Sequence, residues 1–175
     1  MPGGVPPQLG TDLPLISVQI APNGEMHNAT ILRSSGDAAV DKSIVACAEG
    51  DTFKVLTSNG RPAEITWTLM YMASRRGMWD GFLPAILGDG SKACGANYPQ
   101  AALRKRAEGD TLLSYRIGFD GNTKDFKVLH SSGDADLDQT TIDCASQWKF
   151  YPAHENGQPV EIDWTTSVRW RSHRP

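Results

Sequence analysis

The chain has 175 residues, 39% of them hydrophobic, with five Trp, five Phe and four Tyr, and a formal net charge of −3. That composition can fill the core of one ordinary domain or two small ones, which argues against wholesale disorder. Charges of both signs are mixed along the chain, so it lacks the clustered basic face of a nucleic-acid binder, and its longest apolar run, Phe82 to Leu87 interrupted by Pro84, is far too short to cross a bilayer.

Met1 to Gly10 is rich in Pro and Gly and lacks the charged and apolar regions of a signal peptide. It reads as a flexible lead-in. The three cysteines, Cys47, Cys94 and Cys144, form no C-x-x-C pair, so zinc-ribbon and thioredoxin readings fail. One disulfide with a free thiol, or three small apolar residues, are both open at this point.

The dominant feature is internal similarity. At a shift of 97 residues, "ILRSSGDAAVDKSIVACA" lies over "VLHSSGDADLDQTTIDCA" and "NGRPAEITWT" over "NGQPVEIDWT". Cys47 falls on Cys144, Gly60 on Gly157 and Trp67 on Trp164. About a third of the positions are identical over a gapless stretch of about 57 residues from Ser17. Two modules are expected, over 11–73 and 96–172, with 74–95 as a connector.

In the first module, Pro6, Pro7 and Pro14 stand where an opening helix would be. A hairpin turning at Asn23-Gly24 follows, then a helix, then a strand with Ile65, Trp67, Leu69 and Tyr71 inward. The connector is Gly- and Pro-containing, but Trp79, Phe82, Leu83 and Ile86 predict that part of it packs on a module.

In the second module Pro99 suits the first turn of a helix over "QAALRKRAE", with Gly109 as its stop. "TLLSYRIGF" predicts a strand with Leu113, Tyr115, Ile117 and Phe119 on one face. Asp120-Gly121 turns it into "KDFKVLH". Asp134 or Asp136 caps the next helix, on which Leu137, Thr141, Cys144 and Trp148 share a face. Asn156-Gly157 turns the chain into a last strand. There Val160, Ile162, Trp164, Thr166, Val168 and Trp170 point one way, and Glu161, Asp163, Thr165, Ser167 and Arg169 the other. The expected fold class is α+β. Each module is a three-stranded antiparallel sheet with helices on one face, and the two small modules are expected to bury surface against each other.

Tyr98-Pro99, Gly109, Asp120-Gly121, Ser131-Ser132-Gly133, Leu137-Asp138 and Trp148-Lys149-Phe150-Tyr151-Pro152 occur in the order found in one family. The second module thus resembles the C-terminal domain of the energy transducer TonB. The first is a degenerate version, keeping Ser34-Ser35-Gly36, Val40-Asp41 and Phe53 but carrying "DTFKV" in place of "WKFYP". The resemblance implies a protein-binding module of the Gram-negative periplasm. Such a module binds an extended peptide, the TonB box of an outer-membrane transporter, in uptake driven by the proton-motive force. It also implies ExbB and ExbD as partners of a membrane-anchored full-length form, inner-membrane attachment if this chain is part of a longer protein, and pairing of such domains into a homodimer. A soluble adaptor or structural protein for another envelope component is the alternative.

By the resemblance, the receiving edge is the last strand, Val160, Glu161, Ile162, Asp163, Trp164, Thr165, Thr166, Ser167, Val168 and Arg169, with Asn97 and Tyr98 as side-chain contacts. An exposed edge offers N–H and C=O groups at strand spacing, and an extended peptide can add to it. The family also implies a Cys94–Cys144 disulfide, which an oxidising compartment permits. Catalysis is not expected. "RSSGD" and "HSSGD" lack the G-x-S-x-G elbow of a hydrolase, and Arg33 stands where His130 does in the other module. His27, His130, His154 and His173 have no metal-ligand spacing, and no cofactor is implied.

Overall fold

The computed structural model describes residues 13–72, 81–87, 94 and 98–172. Its elements, in chain order, are β1 (Leu15–Ile20), β2 (Met26–Arg33), α1 (Ala38–Glu49), β3 (Thr57–Ser58), β4 (Arg61–Pro62), β5 (Ile65–Met72), β6 (Gly81–Pro84), α2 (Gln100–Lys105), β7 (Gly109–Ile117), β8 (Thr123–His130), α3 (Ala135–Ala145), β9 (Ala153–Glu155), β10 (Gln158–Val160) and β11 (Ile162–Trp170). The fold is α+β, and its sheets are antiparallel.

The two-residue period of the strands becomes burial. Ile16, Val18 and Ile20 are fully buried on β1, and Leu113, Tyr115 and Ile117 on β7. Helices α1 and α3 begin where Asp37 and Asp134 cap them. The Asp37 carboxylate accepts from the N–H groups of Ala39 and Val40, and that of Asp134 from Asp136 and Leu137. One turn in, Asp41 and Asp138 reach back to the preceding loops. Asp41 accepts from the Ser35 N–H at 2.7 Å, and Asp138 from the Ser132 N–H at 2.9 Å.

Pairing in the two halves coincides at the shift of 97. Leu15↔Arg33 and Ile20↔Met26 on β1–β2 correspond to Leu112↔His130 and Ile117↔Thr123 on β7–β8, with register irregularities at matching places. Leu15↔Met70 and Ile20↔Ile65 correspond to Leu112↔Ser167 and Ile117↔Ile162. Asn28 and Asp125, 97 apart, both take left-handed φ values, 53° and 55°.

The halves differ in what is added to them. Strands β11-β7-β8 form a three-stranded sheet, as expected. In the first half β1, β2 and β5 lie in a six-stranded sheet, ordered β10-β9-β5-β1-β2 with β6 also on β5, while β3 and β4 form a separate two-stranded sheet. The second half's hairpin joins through Thr66↔His154, and β6 pairs from Leu69↔Pro84 to Met72↔Gly81. Both additions satisfy the outer edge of β5, which would otherwise leave backbone groups unpaired.

One core cluster runs through both halves, with Ile16, Val18 and Trp67 packed together with Leu113, Tyr115 and Phe150. The Trp67 indole N–H donates to the Tyr151 carbonyl at 2.7 Å. In the connector, Phe82 is buried, Leu83 is exposed and Ile86 forms a bridge with Phe150, while Trp79 lies outside the described residues.

Several expectations change in detail. Helix α2 ends at Lys105, capped by Arg106 with a φ of 52°, rather than at Gly109, which opens β7. A Cβ on Gly109 would meet the Ser132 carbonyl oxygen at 2.1 Å, so close backbone approach explains that glycine. Phe119 is 58% exposed, because β7 stops at Ile117 and the turn begins. Trp148 lies beyond α3. Val160 belongs to β10, where it pairs with Ala153, so the last strand starts at Ile162.

Cys94 and Cys144 form a disulfide with Cα atoms 5.5 Å apart, and Cys47 is an exposed thiol. The pair sits in a small core with Ala102, Leu137 and Trp170. No helix among the described residues is long and apolar enough to cross a membrane.

Candidate functional site: the outer edge of the last strand

Strand β11 pairs with β7 at nine consecutive positions, from Ile162↔Ile117 to Trp170↔Gly109, without a register shift. Its other flank ends the sheet. The first half covers the start of that flank. Phe53 stacks on Trp164 with centroids 5.7 Å apart, and Trp67 meets the same ring edge-on at 5.6 Å. The Lys54 ammonium lies 5.0 Å from the Trp164 centroid and 3.3 Å from the Thr165 hydroxyl. Burial pulls the Lys54 ammonium below its ordinary range, partly offset by Asp163. From Thr166 to Trp170 no strand pairs with this flank among the described residues.

The direction of the free backbone groups follows from the corresponding strand. The Ala85 N–H donates to the Thr68 carbonyl at 3.0 Å, whereas the Tyr71 N–H turns the other way to Pro14. Backbone groups alternate along an antiparallel strand, so Thr68, Met70 and Met72 face outward from β5. Their counterparts 97 residues on, Thr165, Ser167 and Arg169, face the outer flank of β11.

The opposite edge of that sheet is less receptive. Strand β8 has two register irregularities and a left-handed Asp125, and such bulges twist an edge away from further pairing. Of the two edges, β11 is the regular one.

The side chains of β11 divide as the alternation requires. Ile162 and Trp170 are fully buried, and Trp164, Thr166 and Val168 are half-buried on the same side. Asp163, Ser167 and Arg169 are exposed. Asp163 accepts from Arg116 at 3.0 Å, Arg169 lies 3.3 Å from Asp110, and Glu161, outside β11, pairs with Lys124 and Arg116. These carboxylates and guanidiniums brace the sheet's exposed face. Such exposed pairs contribute little stability individually.

Tyr98 is half-buried. Its hydroxyl donates to the Ala107 carbonyl and its ring meets Trp170 edge-on at 5.5 Å, so it fixes the end of β11 from within. Burial, with help from Glu108, pushes its hydroxyl pKa up. Asn97 lies outside the described residues. Sequence reasoning missed Lys54 and the covering of Trp164 by Phe53, although Phe53 stands 97 residues before the family-like Phe150. Among the described residues no group of three or more His, Cys, Asp or Glu could hold a metal.

Comparison with known proteins bears on the half that owns this edge. Residues 95–172 match the family model of the Gram-negative bacterial TonB protein C-terminal. Individual relatives agree. The chain is 38% identical over 61 residues to a protein TonB of Xanthomonas campestris pv. campestris, covering 35% of this chain and 27% of that one. It is 33% identical over 69 residues to the protein tonB2 of Pseudomonas aeruginosa, covering 39% and 25%. It is 35% identical over 63 residues to a protein TonB of Vibrio cholerae, covering 36% and 26%. The matched stretches thus span about a quarter of each TonB relative. The TonB match begins just after Cys94 and takes in α2, both strands of the β7–β8 hairpin, α3 and β11.

Proposed function

We propose that this chain is a periplasmic peptide-binding protein built from two tandem TonB C-terminal-like copies. Residues 11–73 are the degenerate copy, 74–95 the connector and 96–172 the receiving domain. Its ligand is an extended segment, the TonB box of an outer-membrane transporter, added as a strand to β11 in uptake linked to the proton-motive force. In a longer, inner-membrane-anchored form, ExbB and ExbD would be the energising partners. The observation that carries this reading is the regular edge of β11 from Thr166 to Trp170, with which no strand pairs among the described residues, within the TonB-matching half.

The backbone supplies affinity by completing N–H···O=C pairs, and the half-buried Thr166 and Val168 supply contact for alternate side chains. Tyr98, with its hydroxyl committed to Ala107, positions Trp170 and the strand's end. Coincidence of strand registers at a shift of 97 supports the two-copy reading. A peptide of five to seven residues makes a small interface, with an expected dissociation constant in the micromolar range, about −8 kcal/mol. Calorimetric titration of the full chain with TonB-box peptides tests this. Micromolar, stoichiometric binding is the expected result. No heat at millimolar peptide would remove the transporter reading and favour another envelope partner.

A further inference from the structure

Helix α1 has an exposed flank beside the edge of its sheet. Strand β2 ends the six-stranded sheet, and between it and α1 an open groove of about 420 Å³ is lined by Ile31, Asp41, Lys42, Val45, Ala46 and Glu49. The half-buried Ile31 and Val45 make its floor apolar. Asp41 is committed to the Ser34 hydroxyl and the Ser35 N–H. Lys42 and Glu49 make no ion pair among the described residues. They stand seven residues apart on one stripe of the helix, about 10 Å along its axis, too far to pair with each other. Glu49 also lies in the last turn, at the negative end of the helix dipole, where α1 has no basic residue. The corresponding flank of α3 is built differently. Gln139, Asp143 and Ser146 stand where Lys42, Ala46 and Glu49 do, and the Gln139 amide donates to Asp143 at 2.8 Å. That flank satisfies its own polar groups and carries a carboxylate at its centre, where α1 carries the methyl group of Ala46.

We propose that this flank of α1 is a self-complementary interface at which two copies of the chain meet with their α1 helices antiparallel. A two-fold axis passing between Val45 and Ala46 sets each Lys42 opposite the partner's Glu49, because 42 and 49 are equally distant from that point. The small Ala46 lets the helices approach closely, and the partner's Val45 reaches the apolar floor of Ile31 and Val45. Each cation then lies at the negative end of the partner's helix dipole, and no charge in the stripe faces a like charge. The contact lies outside residues 95–172, which match the TonB model, and uses no residue of β11. It therefore stands apart from the strand-addition reading. One short helix pair with an exposed ion pair at each end makes a small interface, so the expected dissociation constant is on the order of 100 µM.

Sedimentation equilibrium of the full chain carrying Cys47→Ser, from about 10 µM to about 1 mM, tests this. The serine removes the exposed thiol as a source of disulfide-linked dimers. A reversible monomer–dimer equilibrium is expected. Lys42→Glu and Glu49→Lys, made separately in that background, each set like charges face to face twice and are expected to weaken the dimer about tenfold or more. The double variant exchanges the two charges and is expected to return to within about threefold of the starting affinity. Ala46→Cys in the same background, close to the two-fold axis, is expected to cross-link two chains in air faster than Ser43→Cys on the other side of the helix. A chain that stays monomeric at about 1 mM would overturn the interface. A dimer that survives both single reversals is formed elsewhere and would overturn it too. So would a folded double variant that stays dissociated, or equal cross-linking from positions 43 and 46.

Discussion

Glycines 121 and 133 both have left-handed φ, 80° and 92°, yet they are not equivalent. A Cβ on Gly121 would lie 1.9 Å from the Phe150 carbonyl oxygen, while one on Gly133 meets nothing within 4 Å. Gly133→Ala should therefore cost about 1 kcal/mol of backbone strain. Gly121→Ala adds a backbone collision and should cost about 3 kcal/mol. Denaturant unfolding of the two variants measures the difference, and equal losses would contradict the close contact. Asp138 gives a pH-dependent test. Burial raises its carboxyl pKa, but hydrogen bonds from Ser131, Ser132 and Thr111 outweigh burial and hold it below the ordinary 3.8. A depressed carboxylate stabilises the fold above its unfolded pKa, and that stability is lost as pH falls through the folded value. Asp138→Asn should lose about 1.5–3 kcal/mol at neutral pH, with the gap to wild type closing below about pH 4. Melting temperatures across pH 2–7 (roughly the carboxylate window) check the sign. The corresponding Asp41 has Pro14 where Asp138 has Thr111, so it lacks that hydroxyl donor.

At the scale of elements, Ser167 is the place to separate folding from binding. Its backbone faces the outer flank of β11 by the alternation that directs Met70 toward β6, so proline there removes an outward donor and leaves the β7 ladder intact. Ser167→Pro should keep a cooperative melt and lose tenfold or more in peptide affinity. A variant that binds normally would contradict strand addition. The Cys94–Cys144 bridge joins the approach to α2 with α3, at a sequence separation of 50. By loop-closure entropy its reduction should cost about 4 kcal/mol, read as a lower melting temperature in reductant. The elements themselves were largely legible. Turns at Asn23-Gly24, Asp120-Gly121 and Asn156-Gly157, an aspartate cap at Asp134 or Asp136 and the alternation of Ile162 to Trp170 depend on local chemistry that one short window contains. Strand β6 was not legible, because a four-residue apolar run becomes a strand only when another edge is there to receive it. Gly109 was misread for the same reason: its constraint is the Ser132 carbonyl, far away in sequence and near in space. The candidate edge itself was named from the last strand, but its covered and open portions depend on Phe53 and Lys54 of the other half.

At the scale of the molecule, the core decides how the chain behaves. Trp67 is 1% exposed, packs against residues of both halves and donates to the Tyr151 carbonyl across the boundary. The two halves should unfold in one transition, with coincident calorimetric and van't Hoff enthalpies. Trp67→Ala should destabilise the whole chain by about 3–5 kcal/mol. Two separated transitions would contradict the shared core. The halves also differ at their edges: one covers Trp164 with Phe53 and Lys54 and has its own β5 edge closed by β6, while in the other no strand pairs with the outer flank of β11 from Thr166 onward among the described residues. By the proposed function, this edge is where an extended peptide binds. The most direct measurement is amide chemical-shift mapping of the full chain titrated with a panel of TonB-box peptides. Saturable shifts should cluster on Thr165 to Trp170 and around Tyr98, with β5 and β2 unmoved. Shifts centred on β8 or on the first half, with β11 silent, would contradict the account.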